Sequence, residues 1–372
     1  MQLTIERAAL LKSLAHVQSV VERRNTIPIL SNLLIDAADG KLSLTATDMD
    51  LTIVDHVAAD IGTTGATTAP AHTLYDIVRK LPEGAQIQLA ATGDGAKLNL
   101  KAGRSSFSLA TLPREDFPLT DVEELPRQFA LEVGDLKNLI DRTRFAISTE
   151  ETRYYLNGIY LHASESDAVP VLRAVATDGH RLARFEMGLP ESAAGMPGVI
   201  VPRKTVNELR KLIDESDAPI EISLSDTKIR FAFDSTVLTS KLIDGTFPDY
   251  QRVIPLDNDK VLEVDCESFA AAVDRVSTIS TEKSRAVKLA ADKDMLTLSA
   301  TSPESGSAVE EIEISYGGPA IEIGFNSRYL LDIAQQIEGD MAHISIKDAA
   351  SPTIVREVAD SGALYVLMPM RV

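Results

Sequence analysis

The chain has 372 residues, of which 44% are hydrophobic and 25% charged; that length suits two or three domains, and the apolar content excludes disorder as the main state. No apolar run approaches the ~18 residues of a membrane span, Met1-Gln2-Leu3-Thr4-Ile5-Glu6 lacks the basic and apolar segments of a signal peptide, and Cys266, the only cysteine, excludes an intrachain disulfide or a cysteine-built zinc cage. A cytoplasmic location is the expectation, and the formal charge of −18 argues against nucleic acid unless the charge is unevenly placed.

Residues 3–6 alternate as a short strand, and Leu10, Leu14, Val17 and Val21 then recur at the spacing of one helix face. Residues 44–48 are a strand running into a turn. Ala69-Pro70 opens a second helix carrying Leu74, Ile77, Val78 and Leu81. Two alternating stretches, 85–90 and 97–109, follow, and Phe117-Pro118 leads into a polar linker. The order then repeats. Residues 129–132 precede Leu136, Ile140 and Phe145; 174–178 match 44–48; Val201-Pro202 opens a helix with Val206, Leu209, Leu212 and Ile213; strands 220–224 and 228–242 end at Phe247-Pro248. A third copy starts at 262–265, carries Phe269, Val273 and Val276, turns at 298–302, opens a helix at Phe325-Asn326 and closes with 342–346 and 353–368. This period of roughly 130 residues predicts an α+β chain of three similar domains, 1–120, 128–250 and 258–372, each with two helices and several antiparallel strands.

Catalytic signatures are missing. There is no phosphate-cradling Gly-x-x-x-x-Gly-Lys loop, no Gly-x-Gly-x-x-Gly after a strand and no Gly-x-Ser-x-Gly elbow. Gly93-Asp94-Gly95 reads as a hairpin turn. The six histidines, at 16, 56, 72, 162, 180 and 343, never stand four apart, so no metal site is expected, and no cofactor either. Asp178-Gly179-His180-Arg181 could do acid–base work, but the corresponding Asp48-Met49-Asp50 and Ser302-Pro303-Glu304 favour a turn with a surface-binding role. Cys266 opens a helix with no histidine nearby in sequence and reads as a passive thiol.

Charge is uneven along the chain. Counted over 6–24, 72–81, 135–146, 203–214, 267–276 and 327–336, the candidate helices sum to +5, which leaves −23 for the remainder. Lys12, Lys137, Arg142, Arg144, Arg210 and Lys211 are phosphate-contact candidates on this helix charge alone.

Several blocks resemble the beta subunit family of bacterial DNA polymerase III, the sliding clamps. They are Ile27-Pro28-Ile29-Leu30-Ser31-Asn32-Leu33-Leu34, Arg153-Tyr154-Tyr155-Leu156-Asn157-Gly158, Ala176-Thr177-Asp178-Gly179-His180-Arg181-Leu182, Val201-Pro202-Arg203-Lys204, the run from Ser240 to Tyr250, and the terminus from Tyr365 to Val372. The resemblance spans the chain. It implies three similar clamp domains and a head-to-tail homodimeric ring, with helices lining a central hole and antiparallel sheets outside. It implies no chemistry and no membrane. Such a ring encircles duplex DNA, tethers the alpha subunit of the replicative polymerase for processive synthesis, is placed by a clamp-loader ATPase, and docks these proteins, other polymerases and repair factors through short peptides.

By the family's pattern the docking cleft comprises Leu156, Thr177, Gly179, His180, Arg181, Leu182, Pro248, Arg252, Val253, Pro352, Val366, Met368, Pro369, Met370 and Arg371. Apolar residues dominate the set, as a peptide groove requires. Pro352 stands where some relatives carry serine. Arg24, Arg203 and Lys204 sit in motifs matching the family's DNA contacts. At the ring seam, Leu74, Ile77, Val78 and Leu81 would meet Thr278 and Ile279 of a second copy, with Thr278 polar where relatives often are apolar. Two other readings stay open on the residues: an enzyme built around Asp178, His180 and Arg181, and a monomeric peptide-binding scaffold.

Overall fold

Side-chain caps and prolines set where the helices begin. Glu6 accepts a hydrogen bond from the Ala9 N–H and opens α1 (Arg7–Gln18); Pro70 precedes α2 (Ala71–Lys80). Next come α3 (Val133–Asp141) and α4 (Arg203–Leu212), the latter after Pro202. Asp265 accepts from the Ser268 N–H at α5 (Cys266–Ser277), and Asn326 accepts from the Arg328 N–H at α6 (Ser327–Ala334). These acceptors satisfy N–H groups that have no partner inside the helix. Leu10, Leu14 and Val17 are wholly buried along α1, each such burial contributing about 1.5–3 kcal/mol.

The computed structural model describes residues 1–92, 96–119, 124–280, 285–358 and 362–371; the Gly93-Asp94-Gly95 turn expected from the sequence lies outside them. The chain forms two units, Met1–Val133 with Lys204–Leu242 and Gly134–Arg203 with Ile243–Val372. Each unit is therefore assembled from parts of two neighbouring repeats, because the sheets cross the repeat boundaries.

In the first unit an eight-stranded antiparallel sheet runs in the order Arg127–Leu131, Ile220–Leu224, Lys228–Phe233, Thr236–Lys241, Leu51–Ala58, Lys41–Thr47, Asn32–Ala38, Gly65–Pro70. Four of these strands come from the second repeat and four from the first. The join is the pairing of Thr236 with Asp55 through Ser240 with Leu51. A separate sheet runs Asp60–Thr63, Gln2–Glu6, Gln86–Ala91, Lys97–Ala102, Ser105–Ala110.

The second unit repeats the arrangement. Its eight strands run Val199–Pro202, Gly158–Ser166, Val169–Thr177, Arg181–Gly188, Ala363–Leu367, Thr353–Glu357, Met341–Ile346, Lys260–Asp265. Here the join pairs Arg181 with Leu367 through Phe185 with Ala363. The remaining sheet runs Gly306–Glu313, Met295–Ser302, Ala286–Asp292, Ile321–Asn326.

The stretches read as 97–109 and 228–242 each resolve into two strands. Gly103 (φ +57°) and Asp234 (φ +47°) take left-handed conformations at the intervening turns, where glycine and aspartate are tolerated. The helix counted over 135–146 ends at Asp141. The Thr143 hydroxyl donates to the Leu139 carbonyl at 2.6 Å, and a tighter turn, Arg144–Ala146, follows.

Candidate docking cleft and nucleic-acid interface

The second unit builds a rigid turn where strand Val169–Thr177 meets strand Arg181–Gly188. The Asp178 carboxylate accepts from the His180 and Arg181 N–H groups at 2.9 and 3.0 Å. The Thr177 hydroxyl accepts from the Gly179 N–H and donates to the Arg181 carbonyl. Gly179 has φ +86°, and a Cβ there would collide with the Arg153 guanidinium. Arg153 is itself fixed, donating to both Glu150 oxygens and to the Asp178 carbonyl.

Arg181 is not a free cation. It is 9% exposed, lies 4.4 Å over the Tyr329 ring, and donates to Asp178, Asp332 and the Phe145 carbonyl. With Asp178 occupied by backbone donors and Arg181 locked, the tetrapeptide is a brace for the turn rather than acid–base machinery. His180 stays exposed on top, and its carbonyl accepts from the Met368 N–H at 2.9 Å. Burial pushes the Cys266 thiol up, which suits a passive thiol. Among the described residues no group of His, Cys, Asp and Glu could hold a metal ion, and no helix is long and apolar enough to cross a membrane.

The cleft candidates separate into a floor and a rim. Leu156, Leu182 and Val366 belong to a buried cluster with Val175, Ile200, Phe247, Tyr250, Ile354 and Leu364. Gly179, His180, Pro248, Arg252, Val253, Met368 and Arg371 are exposed, and Thr177, Pro352, Pro369 and Met370 half-buried. The Met370 N–H donates to the Gly324 carbonyl at 2.9 Å, which pins the terminal segment beside strand Ile321–Asn326. The structure adds three aromatic rings that the sequence does not single out: Tyr154, 53% exposed, its edge-on neighbour Tyr155, and Tyr329. Tyr154 and Tyr155 stand in the quoted motif, but the close approach of Gly245 to both emerges only in the fold.

The basic candidates also sort by environment. Arg24 and Arg203 are exposed. Lys204 donates to the Val20 carbonyl and to the Asp48 and Glu22 carboxylates; burial pulls its ammonium down, and Asp48 outweighs that and holds it above its usual value. Lys12 pairs with Glu215 at 3.2 Å, Arg144 with Asp141 at 3.1 Å, Arg210 with Asp214 at 2.6 Å and Lys211 with Glu208 at 2.8 Å. Lys137 is half-buried. Arg142 departs from expectation: it is 6% exposed and held by Glu338 at 3.1 Å and Glu357 at 3.8 Å. A charge count along a helix does not register that a guanidinium has been buried.

At the expected seam, Leu74 and Val78 are wholly buried in their own unit and Leu81 nearly so. They hold α2 in place, so within that set Ile77, Thr278 and Ile279 keep accessible surface.

Three parts of one family match the chain in sequence order. The N-terminal domain of the DNA polymerase III beta subunit matches residues 1–121, the central domain 130–249 and the C-terminal domain 251–371. The beta sliding clamp of Caulobacter vibrioides is 56% identical over the whole of both chains, and that of Escherichia coli 41%. Among solved structures, the C. crescentus beta sliding clamp with PEG bound to its putative beta-motif tethering region matches with a TM-score of 0.98 at 56% identity, covering 100% of this chain and 99% of that one. The sliding clamp from Bartonella birtlesii bound to griselimycin matches with a TM-score of 0.97 at 51% identity, covering both chains fully. The chain belongs to the family of the DNA polymerase III beta subunit, the bacterial sliding clamps. Its members are non-catalytic processivity factors for DNA replication, and the three-domain α+β fold is theirs.

Proposed function

We propose that two copies close head to tail into a ring around duplex DNA, in the cytoplasm, and hold the replicative polymerase on its template. One observation carries this reading. Strand Thr236–Lys241 of the second repeat pairs with Leu51–Ala58 of the first, and Ala363–Leu367 of the third pairs with Arg181–Gly188 of the second. The same rule assigns Ser105–Ala110 of the first repeat to Gly306–Glu313 of the third, and both are outer strands of their own sheets. Two copies then supply each other's missing partner twice over, which closes a ring.

The main chain is prepared for that pairing. The Thr111 N–H donates inward to the Ala96 carbonyl. Antiparallel alternation therefore turns the N–H and C=O of Ser106, Ser108 and Ala110 outward. On the other edge, the Ile314 N–H donates to the Asp294 carbonyl and the Ser315 N–H to the Glu263 carbonyl, which turns out Ser307, Val309 and Glu311. Unpaired edges of this length are templates for another strand. Their charges are opposite: Lys97, Lys101 and Arg104 border the first edge, while Glu310, Glu311 and Glu313 lie on the second. In the first unit α4 lies against α1, where Ser19 donates to Glu208 at 2.6 Å. The equivalent contact between copies sets Ile77 of α2 against Thr278 and Ile279 beyond α5.

A ring holds DNA by topology, so its lining needs only weak phosphate attraction, and an acidic exterior repels DNA from the wrong side. Exposed Arg24 and Arg203 are the best placed lining cations. Partners — the polymerase alpha subunit, the clamp-loader ATPase, other polymerases and repair factors — dock by short peptides on the exposed rim, to which Tyr154, Val253 and Met368 each offer exposed apolar surface.

Sedimentation should give a mass twice 40.2 kDa, and the loaded protein should remain on nicked circular DNA and leave once the DNA is linearised. Equal loss from both forms removes encirclement. Changing Arg24 and Arg203 together to Ala should leave the dimer intact and shallow the salt dependence of DNA retention, the logarithmic slope falling by about one for each phosphate no longer neutralised. Lys204→Ala should instead destabilise the first unit, because Lys204 joins α4 to Glu22 and the Asp48 turn. An unchanged slope in the double variant would show that neither arginine meets phosphate.

A further inference from the structure

In the first unit one histidine stands between two carboxylates with little access to water. The His16 side chain, on α1, is 12% exposed; its Nδ1 lies 3.4 Å from Asp55 Oδ1 and its Nε2 3.5 Å from Glu215 Oε2. Asp55, on strand Leu51–Ala58, is 2% exposed and accepts from the Thr236 hydroxyl at 2.6 Å and the Ser235 hydroxyl at 3.3 Å. Glu215, at the end of the turn Ile213–Glu215 that continues α4, also pairs with Lys12 at 3.2 Å. The ionisable groups facing His16 are therefore Asp55 and Glu215, with Lys12 on its own helix directed at Glu215.

The cluster bridges two repeats. His16, Lys12 and Asp55 lie in the stretch matching the family's N-terminal domain, and Glu215, Ser235 and Thr236 in the stretch matching its central domain. Thr236 is paired directly with Asp55 at the end of the strand join. A neutral imidazole donates from only one nitrogen and would turn a lone pair toward one of the carboxylates. The imidazolium carries an N–H on both nitrogens, and although Nδ1 meets Asp55 as an ion pair rather than an aligned hydrogen bond, it neutralises a buried Asp55 whose charge would otherwise be costly. We infer that protonated His16 is a latch fastening the first repeat to the second, and that losing its proton loosens this junction while leaving the rest of the fold in place.

Burial pulls the imidazole down, but Asp55 and Glu215 outweigh it and hold His16 above its ordinary 6.5. The latch is thus fully present below pH 6.5 and is lost as pH rises through the folded-state value above it. Asp55 is held below its ordinary 3.8, chiefly by His16 against the push of burial, so its own titration falls at far lower pH.

Hydrogen exchange on the full-length protein from pH 6 to 8.5, corrected for intrinsic exchange, tests this. Protection of α1 and strand Thr236–Lys241 should fall with rising pH, by at most about tenfold per pH unit for the single proton. Protection of α5 and strand Ala286–Asp292 in the other unit should stay level. His16→Gln, which keeps a hydrogen-bonding side chain but cannot charge, should hold protection near the wild-type high-pH level throughout. A level wild-type profile in α1, or the same slope in H16Q, overturns the latch. If H16Q does not fold, the wild-type profile decides alone: a fall confined to α1 and 236–241 supports the latch, and a fall shared with the other unit overturns it.

Discussion

Deleting residues 368–372 is expected to abolish binding of partner peptides while leaving the dimer intact. Strand Ala363–Leu367 ends immediately before the cut, so the sheet register from Arg181–Leu367 to Phe185–Ala363 is kept. The deletion removes, within the described residues, two backbone hydrogen bonds, Met368 to His180 and Met370 to Gly324, together with the apolar surface of Met368, Pro369 and Met370. A peptide burying one or two aliphatic anchors gains about 1.5–3 kcal/mol from each, less the cost of ordering. Two such anchors supply at most about 6 kcal/mol before that cost, so partner peptides should bind weakly enough to exchange, and removing one wall of the groove should weaken binding by tenfold or more. Polymerase and loader peptides should lose affinity together, since both would use one groove. Titration and sedimentation on the same truncated sample check this; retained binding with an intact dimer would place the cleft elsewhere. If the truncation unfolds, Met368→Ala with Met370→Ala repeats the test without shortening the chain.

Ser108→Pro should convert the dimer into a folded monomer. Within one chain Ser108 stands on an outer strand and its N–H points away from the sheet, so proline is tolerated there. In the ring the same strand becomes central, and proline both removes a ladder donor and crowds the incoming strand. One hydrogen bond contributes about 1 kcal/mol net. With two seams per ring that loss is about 2 kcal/mol, so the dissociation constant should rise by roughly thirtyfold from the lost donors and further from the crowding. Phe107→Pro is the control. Its N–H faces Leu100 within the sheet, so it should damage the first unit itself. A dimer of wild-type affinity in S108P would remove the strand-to-strand seam.

Much of this architecture was legible in the sequence because it rests on periodicity. Leu10, Leu14 and Val17 announce α1, and the alternation from 220 to 242 announces strands. Which strand pairs with which was not legible, since alternation fixes the face of a strand and not its neighbour. The threefold order suggested three similar domains, and it did not reveal that Thr236–Lys241 completes a sheet begun by the first repeat. Burial was equally hidden: Arg142 and Arg144 look alike in a charge count, but one is enclosed by Glu338 and Glu357 and the other stays at the surface. The rim of the cleft was read from a family pattern, while its aromatic members Tyr154 and Tyr329 needed the fold. Tyr329 in particular lies far along the chain from Arg181, over which it stacks.

The crossing of sheets over repeat boundaries also sets an order of events during synthesis. Strand Leu51–Ala58 leaves the ribosome early, but its partner Thr236–Lys241 follows nearly two hundred residues later. At translation rates of about 5–20 residues per second, that edge waits on the order of ten to forty seconds. Throughout, the nascent chain carries a strand bearing Leu51, Ile53 and Val54 that is paired on one edge with Lys41–Thr47 and open on the other, the kind of edge that seeds aggregation. The junction that later gives the molecule its continuity is thus the part of the newborn chain most in need of shielding.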